Sequence, residues 1–496
     1  GHASPAVPSP AGTGEAGERA EAWPQRRLPV RLGAEVQEVL RAGVRLMGDS
    51  PGERAAAPPL PRSGARGWLT MGVYQPLFLL AFLLYSPVLL ARRLFDRRPR
   101  ASVRERMGFV PCMPGEKPVV WIHGVSVGEV KAASNFVARL RQQRRDLQLV
   151  ISATTPNGHL VARQEYPDLP VVFYPLDFAD FPGRALDRLR PRCVLLMELE
   201  IWPNFLQAAA QRGVPVAVIN GRISERTFKG YRLLRGLLPQ LDLITKYCVQ
   251  DASYERRLLE LGVDGSRVVV TGNMKYDSVA MARPAATDSA LRAWLSPAGE
   301  PVLVCGSTHH DEEAVLLAAA PAGVRLVLVP RHPERSPSIA ETVRAAGRTC
   351  VRWSEVRDSC PPLPPGAVVL VDTIGQLQRF YAACDVAFVG GSLIPHGGQN
   401  MLEPAALGRA VIFGPHTTNF RRDVELLLAN DAVVQLPDRE SLAPALQALL
   451  ADAGRRRALG ERAREVIEQN RGATVRTLDL VTELLGEPAA AAPPRG

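Results

Sequence analysis

The chain has 496 residues, 46% hydrophobic and 22% charged, a globular composition long enough for two or three full cores, so a single small module is excluded. The seven cysteines, Cys112, Cys193, Cys248, Cys305, Cys350, Cys360 and Cys384, are scattered without a Cys-x-x-Cys pair, which argues against a disulfide framework or a zinc ribbon and fits a reducing compartment. A formal charge of +10 suits nucleic acid, an anionic membrane or a phosphorylated substrate, but no helix-turn-helix signature, basic zipper or aromatic RNA-binding strand accompanies it, so nucleic acid is not expected as a partner.

Residues 1–70 are rich in Ala, Gly, Pro, Arg and Glu and lack sustained periodicity; they are expected to be a disordered or non-native extension, with Met71 reading like a natural start. Leu77 to Ala91 run without a charge, and residues 71–94 read as a membrane-anchor helix. Arg92, Arg93, Arg97, Arg98, Arg100, Arg104 and Arg106 follow it, which by the positive-inside rule leaves the bulk of the chain on the cytoplasmic side. Pro76, Pro87 and the short uninterrupted run also suit a helix lying in the interface or a buried hairpin.

Beyond Lys117, apolar runs alternate with amphipathic stretches, the pattern of parallel sheets covered on both faces. Strands are predicted at Val119–His123, Leu147–Ser152, Val171–Tyr174, Cys193–Met197, Val214–Asn220, Leu243–Gln250 and Val268–Val270, then at Val302–Gly306, Arg325–Pro330, Ala367–Asp372, Val386–Gly390 and Ala410–Phe413. The expected class is α/β with two Rossmann-like doubly wound domains, 95–276 and 299–486, joined by a linker at 277–298 and followed by a disordered tail at 487–496. The catalytic crevice of such a fold lies between the domains, at the C-terminal ends of the strands.

Several motifs fall at those ends. Ser126-Val-Gly-Glu129 follows the first strand and opens a helix predicted at Val130–Gln142. Its Ser-x-x-Glu spacing is that of a capping box, and the same carboxylate is placed to act as a base. Met197-Glu198-Leu-Glu200-Ile-Trp202-Pro-Asn204 puts two carboxylates on one side of a buried strand's end, either bonded to loop amides or facing the crevice. Gly272-Asn-Met-Lys275-Tyr-Asp277 offers a cation that is solvated or turned toward an anionic substrate. Gly306-Ser-Thr-His309-His310 offers hydroxyls and amides to a phosphate; His309 to Glu313 resemble metal ligands in composition, but consecutive residues diverge around a helix, so no metal is expected. Pro330-Arg331-His332, Asp372-Thr-Ile374-Gly375-Gln376 and Gly390-Gly-Ser392 through Asn400-Met401-Leu402-Glu403-Pro404 each follow a strand of the second half, and together suit a nucleotide: glycines admit phosphate, Arg331 neutralises it, and Asn400 and Glu403 bind phosphate and ribose hydroxyls.

In this order and spacing, Ser-Val-Gly-Glu, Met-Glu-x-Glu-x-Trp-Pro-Asn, Gly-Asn-Met-Lys-Tyr-Asp, Pro-Arg-His-Pro-Glu-Arg and Gly-Gly-Ser-Leu to Asn-Met-Leu-Glu-Pro resemble the 3-deoxy-D-manno-octulosonic acid (Kdo) transferases over residues 71 to 485. The resemblance implies a GT-B fold, and metal-independent, inverting transfer of Kdo from CMP-Kdo to the lipid A precursor lipid IVA in lipopolysaccharide synthesis, on the cytoplasmic face of the inner membrane. CMP-Kdo is then the donor substrate and no separate cofactor is implied. Carried over by position, Glu129 is the general base, Glu198 and Lys275 support the transition state, and Pro330, Arg331, Ile374, Gly375, Gln376, Asn400, Met401, Leu402 and Glu403 line the CMP site. Gln376 and Leu199 depart from the family pattern, where an acidic residue and a threonine are common. Two other readings use the same residues: a GT-B transferase or epimerase acting on a UDP-sugar, and an inactive membrane-tethered scaffold, against which the presence of Glu129 and Lys275 argues.

Overall fold

A computed structural model describes Tyr74, Pro76 and residues 103–178, 180–235, 239–281 and 289–486. The expected extension at 1–70, the tail at 487–496 and all of the expected anchor at 71–94 except Tyr74 and Pro76 lie outside the described residues. Among the described residues no helix is long and apolar enough to cross a membrane.

The described residues form two seven-stranded sheets, parallel throughout. The first contains β1 (Val119–His123), β2 (Gln148–Ala153), β3 (Val171–Phe173), β4 (Pro191–Met197), β5 (Val216–Gly221), β6 (Lys246–Val249) and β7 (Val268–Val270), in the order β3-β2-β1-β4-β5-β6-β7. The second contains β8 (Val302–Thr308), β9 (Arg325–Pro330), β10 (Cys350–Arg352), β11 (Val368–Leu370), β12 (Val386–Val389), β13 (Ala410–Phe413) and β14 (Val434–Gln435), in the order β10-β11-β9-β8-β12-β13-β14. Every residue of β1, β5, β9, β12 and β13 is buried, which is why these strands read as continuous apolar runs rather than alternations. The short edge strands β10 and β14 were not predicted; neither has a fully buried residue, so neither carries the apolar run by which the central strands are recognised.

Two segments differ from the sequence-based division. The stretch 277–298, expected as a linker, holds the end of one helix, Met274–Met281, and a second, Ser289–Leu295, whose Leu291 and Leu295 pack in the core under β8 and β9. The last helix, Ala473–Leu485, falls in the sequence range given to the second domain, yet Ala473, Leu478, Val481 and Leu485 pack with Phe136, Leu195 and Ile219 of the first. Asp277 fixes that return. Its carboxylate accepts the amides of Gly472 (2.7 Å) and Thr474 (2.6 Å) at the helix start, while Arg192 and Arg144 donate to the carbonyls of Leu485 and Gly486 at its end. Helix Met274–Met281 stands between the units, touching Val127–Ala132 on one side and Leu402–Ala406 on the other.

Candidate functional site

The predicted helix Val130–Gln142 is two helices, Val127–Ala132 and Ser134–Gln143, and the first presents Glu129 at the end of β1. Ser126 caps it, and the capping box takes a shifted form. The Ser126 hydroxyl donates to Glu129 Oε1 (2.7 Å), while Glu129 Oε2 accepts the amide of Val125 (2.8 Å), one residue earlier than the usual partner. Capping therefore orients the carboxylate. Burial and the nearby charge of Glu198 push its pKa up to about 7, against the pull of Ser126, the Val125 amide and Arg222.

Glu198 ends β4 with φ +59°, a left-handed conformation rare for a side chain of this size, and its amide remains bonded to the Ile219 carbonyl (3.0 Å). Its carboxylate accepts Arg222 Nη2 at 3.1 Å. Glu200, two residues on, accepts the Trp202 indole N–H (2.8 Å), and burial together with Glu129 and Glu198 holds its carboxyl well above the ordinary range. Three carboxyl groups and one guanidinium thus share the ends of β1, β4 and β5. Trp202 and Asn204, by contrast, serve the core. Trp202 packs near Tyr174, and Asp177 accepts the amides of Asn204 (3.0 Å) and Phe205 (2.8 Å) and the Tyr74 hydroxyl (2.9 Å).

At the C-terminal edge of the second sheet the loops are held by internal carboxylates. Glu312, fully buried, accepts four backbone amides: His309 (2.9 Å), Gly391 (2.7 Å), Ser392 (3.0 Å) and Leu393 (3.0 Å). Glu313 binds Arg335 through two 3.0 Å bonds and accepts the Thr308 hydroxyl at 2.9 Å. Both glutamates of the His309–Glu313 run are thereby engaged within the fold. Gly390 is required here: a Cβ would lie 2.5 Å from the Ser307 carbonyl oxygen. The His309 ring lies tilted against that of His396, with centroids 4.0 Å apart, and burial with the surrounding imidazole and cationic groups lowers its pKa to about 4.

The residues expected around a nucleotide are distributed over this edge. Pro330 ends β9, and the amide of the exposed Arg331 donates to the Thr308 carbonyl (3.0 Å). Ile374 is 87% exposed, Gly375 has φ +86°, and Gln376 starts the helix Leu377–Ala383. Asn400 donates to Glu403 Oε1 (2.9 Å) and accepts the Leu402 amide (3.2 Å); Met401 and Leu402 send their side chains into the core, leaving only backbone for a ligand. Asp372, two residues before Ile374, accepts bonds from Ser354 and Arg352 instead.

The two edges meet at Glu403. Burial raises its carboxyl, Asn400 lowers it, and the charges of Arg331, Lys131 and Lys275 lower it further, so cations from both units act on this one carboxyl. Lys275 itself donates to Asp423 Oδ2 at 2.9 Å and lies 4.0 Å from the Phe420 ring, while Tyr276 donates to Asp423 Oδ1 at 3.0 Å. Arg222, Lys131 and Asp423 were not singled out from sequence. Arg222 follows a strand whose end carries no glycine-rich or acidic signature, and Asp423 lies 148 positions from Lys275.

Known proteins can now be set beside this geometry. Residues 101–278 match a family model described as 3-deoxy-D-manno-octulosonic-acid transferase (kdotransferase). The 3-deoxy-D-manno-octulosonic acid transferase of Bordetella pertussis is 37% identical over 388 residues, 74% of this chain and 87% of the relative. That of Haemophilus influenzae is 33% identical over 402 residues, 78% of this chain and 92% of the relative. Among solved structures, the C-terminal CMP-Kdo binding domain of WaaA from Acinetobacter baumannii aligns with 28% identity and a TM-score of 0.34, covering 39% of this chain and 99% of that one. Relatives matched over so much of their length establish that the chain is a glycosyltransferase and belongs to the 3-deoxy-D-manno-octulosonic acid transferase family.

Proposed function

We propose that the protein transfers Kdo from CMP-Kdo to a primary hydroxyl of lipid IVA by an inverting, metal-independent, GT-B type mechanism, at the cytoplasmic face of the inner membrane, with Glu129 as general base. The observation that carries this reading is the carboxyl of Glu129, oriented by its own capping bonds and raised to about 7, so that near neutral pH about half of it is carboxylate and that form is basic enough to take a proton. The acceptor oxygen attacks the anomeric carbon as its proton passes to Glu129, and the bond from that carbon to the CMP phosphate breaks. Arg331, Lys131 and Lys275 supply the positive field in which the departing phosphate collects charge. In this reading Glu198, whose backbone is held at φ +59°, acts on the carbon centre as it becomes cationic, and Lys275 acts on its carboxylate. Pro330, Arg331, Ile374 to Gln376 and Asn400 to Glu403 form the proposed CMP site.

The test is transfer from CMP-Kdo to the tetra-acylated lipid A precursor by membranes carrying the protein, with product mass read beside the Glu129→Ala variant. A mass gain of one or more Kdo residues, lost in the variant while CMP still binds, is expected; robust transfer by the variant sinks the assignment of the base.

A further inference from the structure

Beside the carboxylates lies a cluster of guanidinium groups that the reaction as described does not use. Arg222, at the end of β5, bonds Glu198 and lines with Tyr254 the same narrow space above β5 and β6. Arg257, on the helix Ala252–Glu260, donates to the Ile223 carbonyl at 2.6 Å, holding the turn that carries Arg222, and its guanidinium lies 5.8 Å from the Tyr254 ring. From the second unit, Arg422 places its guanidinium 4.2 Å from the same ring, bonds Asp251 and reaches Ser253 Oγ at 2.7 Å. Burial and the charge of Asp251 raise the Tyr254 phenol, and Arg422, Arg222 and Arg257 all pull it back down, as expected for three cations gathered near one side chain.

Despite these bonds the Arg222 and Arg422 side chains remain 56% and 49% exposed. A guanidinium has five N–H donors in a planar fork, so each keeps donors for an oxyanion after its carboxylate is satisfied. The cluster occupies the ends of β5 and β6, continuing along the edge from Glu129 at β1 and Glu198 at β4. An acceptor hydroxyl within about 3 Å of Glu129 therefore extends the rest of its sugar toward this side or away from it. Near paired carboxylates a phosphate is repelled unless cations compensate it, and this cluster is the cationic flank of that carboxylate group.

We infer that Arg222, Arg257 and Arg422, gathered on Tyr254, form a binding site for a phosphate monoester of the acceptor, on the sugar that presents the reacting hydroxyl. The inference rests on the proposed lipid acceptor and deepens it. Phosphate here is specificity-determining: it draws the acceptor to the β5–β6 side of the base, and, because Arg422 belongs to the other unit, it is gripped only when both units face the cleft.

The experiment compares kcat/KM for the phosphorylated acceptor with that for the same acceptor lacking the phosphate on the hydroxyl-bearing sugar. Wild type is expected to prefer the phosphorylated form by about tenfold, the effect of one charge-assisted pair. Arg222→Gln and Arg422→Gln each bring that ratio toward one, and Arg222→Lys restores part of it. The ratio is the quantity to read because any effect of Arg222 on Glu129 or on folding divides out. A wild-type preference that survives in both variants overturns the site, as does a wild type that transfers to both acceptors equally. A defect confined to KM for CMP-Kdo also overturns it, assigning the cluster to the donor's carboxylate. No transfer by wild type to either acceptor overturns the proposed function itself.

Discussion

The C-terminal edges of the two sheets solve different problems with the same fold. On the first, charged side chains are left incompletely compensated: Glu129 is raised by burial and by Glu198, Glu200 is raised by burial, Glu129 and Glu198, and Glu198 is held with φ +59°. On the second, the carboxylates are spent inside the fold, Glu312 on four backbone amides and Glu313 on Arg335, so that the loops are fixed while backbone and surface cations remain for a ligand. The first arrangement suits proton transfer, and the second suits a fixed ligand site.

The largest effect that would break this contrast is on rate. Glu129→Ala should reduce transfer by about a hundredfold to ten-thousandfold, the range of a positioned general base, with CMP affinity retained. Glu312→Ala should do the reverse, leaving the first edge intact while lowering the denaturation midpoint and weakening CMP binding. Orphaning the amides it holds costs about 3 kcal/mol. If the variant binds CMP and unfolds like wild type, the loops are not held by that carboxylate.

The frustration of Glu129 also has a pH signature of defined sign. Its carboxyl is raised to about 7 in the fold, so activity should fall as pH drops through about 7 and the base is protonated. Because the folded state holds this proton more tightly than the unfolded one, the group's contribution to stability falls as pH rises from the ordinary carboxyl range through about 7. Glu129→Gln should therefore gain stability over wild type at pH 8 and little at pH 5, in denaturation curves at the two values. Asp423→Asn is milder: it loosens Lys275 and Tyr276 from the second unit, and should cost about 1 kcal/mol in the same assay. The smallest effect is ligand discrimination, with CMP expected to raise the melting temperature more than UDP does; equal or greater stabilisation by UDP would favour a UDP-sugar donor.

Much of the scaffold was legible because burial on both faces writes itself as apolar runs. The bounds of Val119–His123, Arg325–Pro330 and Ala410–Phe413 coincide with the strands observed. No glycine or proline marks the break at Ala133, so the sequence predicts one helix over Val130–Gln142, and prolines and polar residues hide the helical content at 277–298. Within the site, Glu129 and Glu198 were legible from strand-end position and spacing. Arg222, Lys131 and Asp423 were not, since their significance comes from a neighbouring strand or the opposite unit, and local patterns carry no information about such encounters. Nor does a motif announce that Trp202 and Asn204 face the core while Glu198 between them and the strand faces outward.

The return of helix Ala473–Leu485 to the first unit bears on how the molecule is made. Synthesis runs from the N-terminus, so β1 to β7 emerge long before the residues that cover Phe136, Leu195 and Ile219. The first half must wait, with part of its apolar surface bare, until the second half has been translated. A chain stopped at Arg471 would keep all fourteen described strands and still lack the wall that seals one of the two hydrophobic clusters flanking its first sheet.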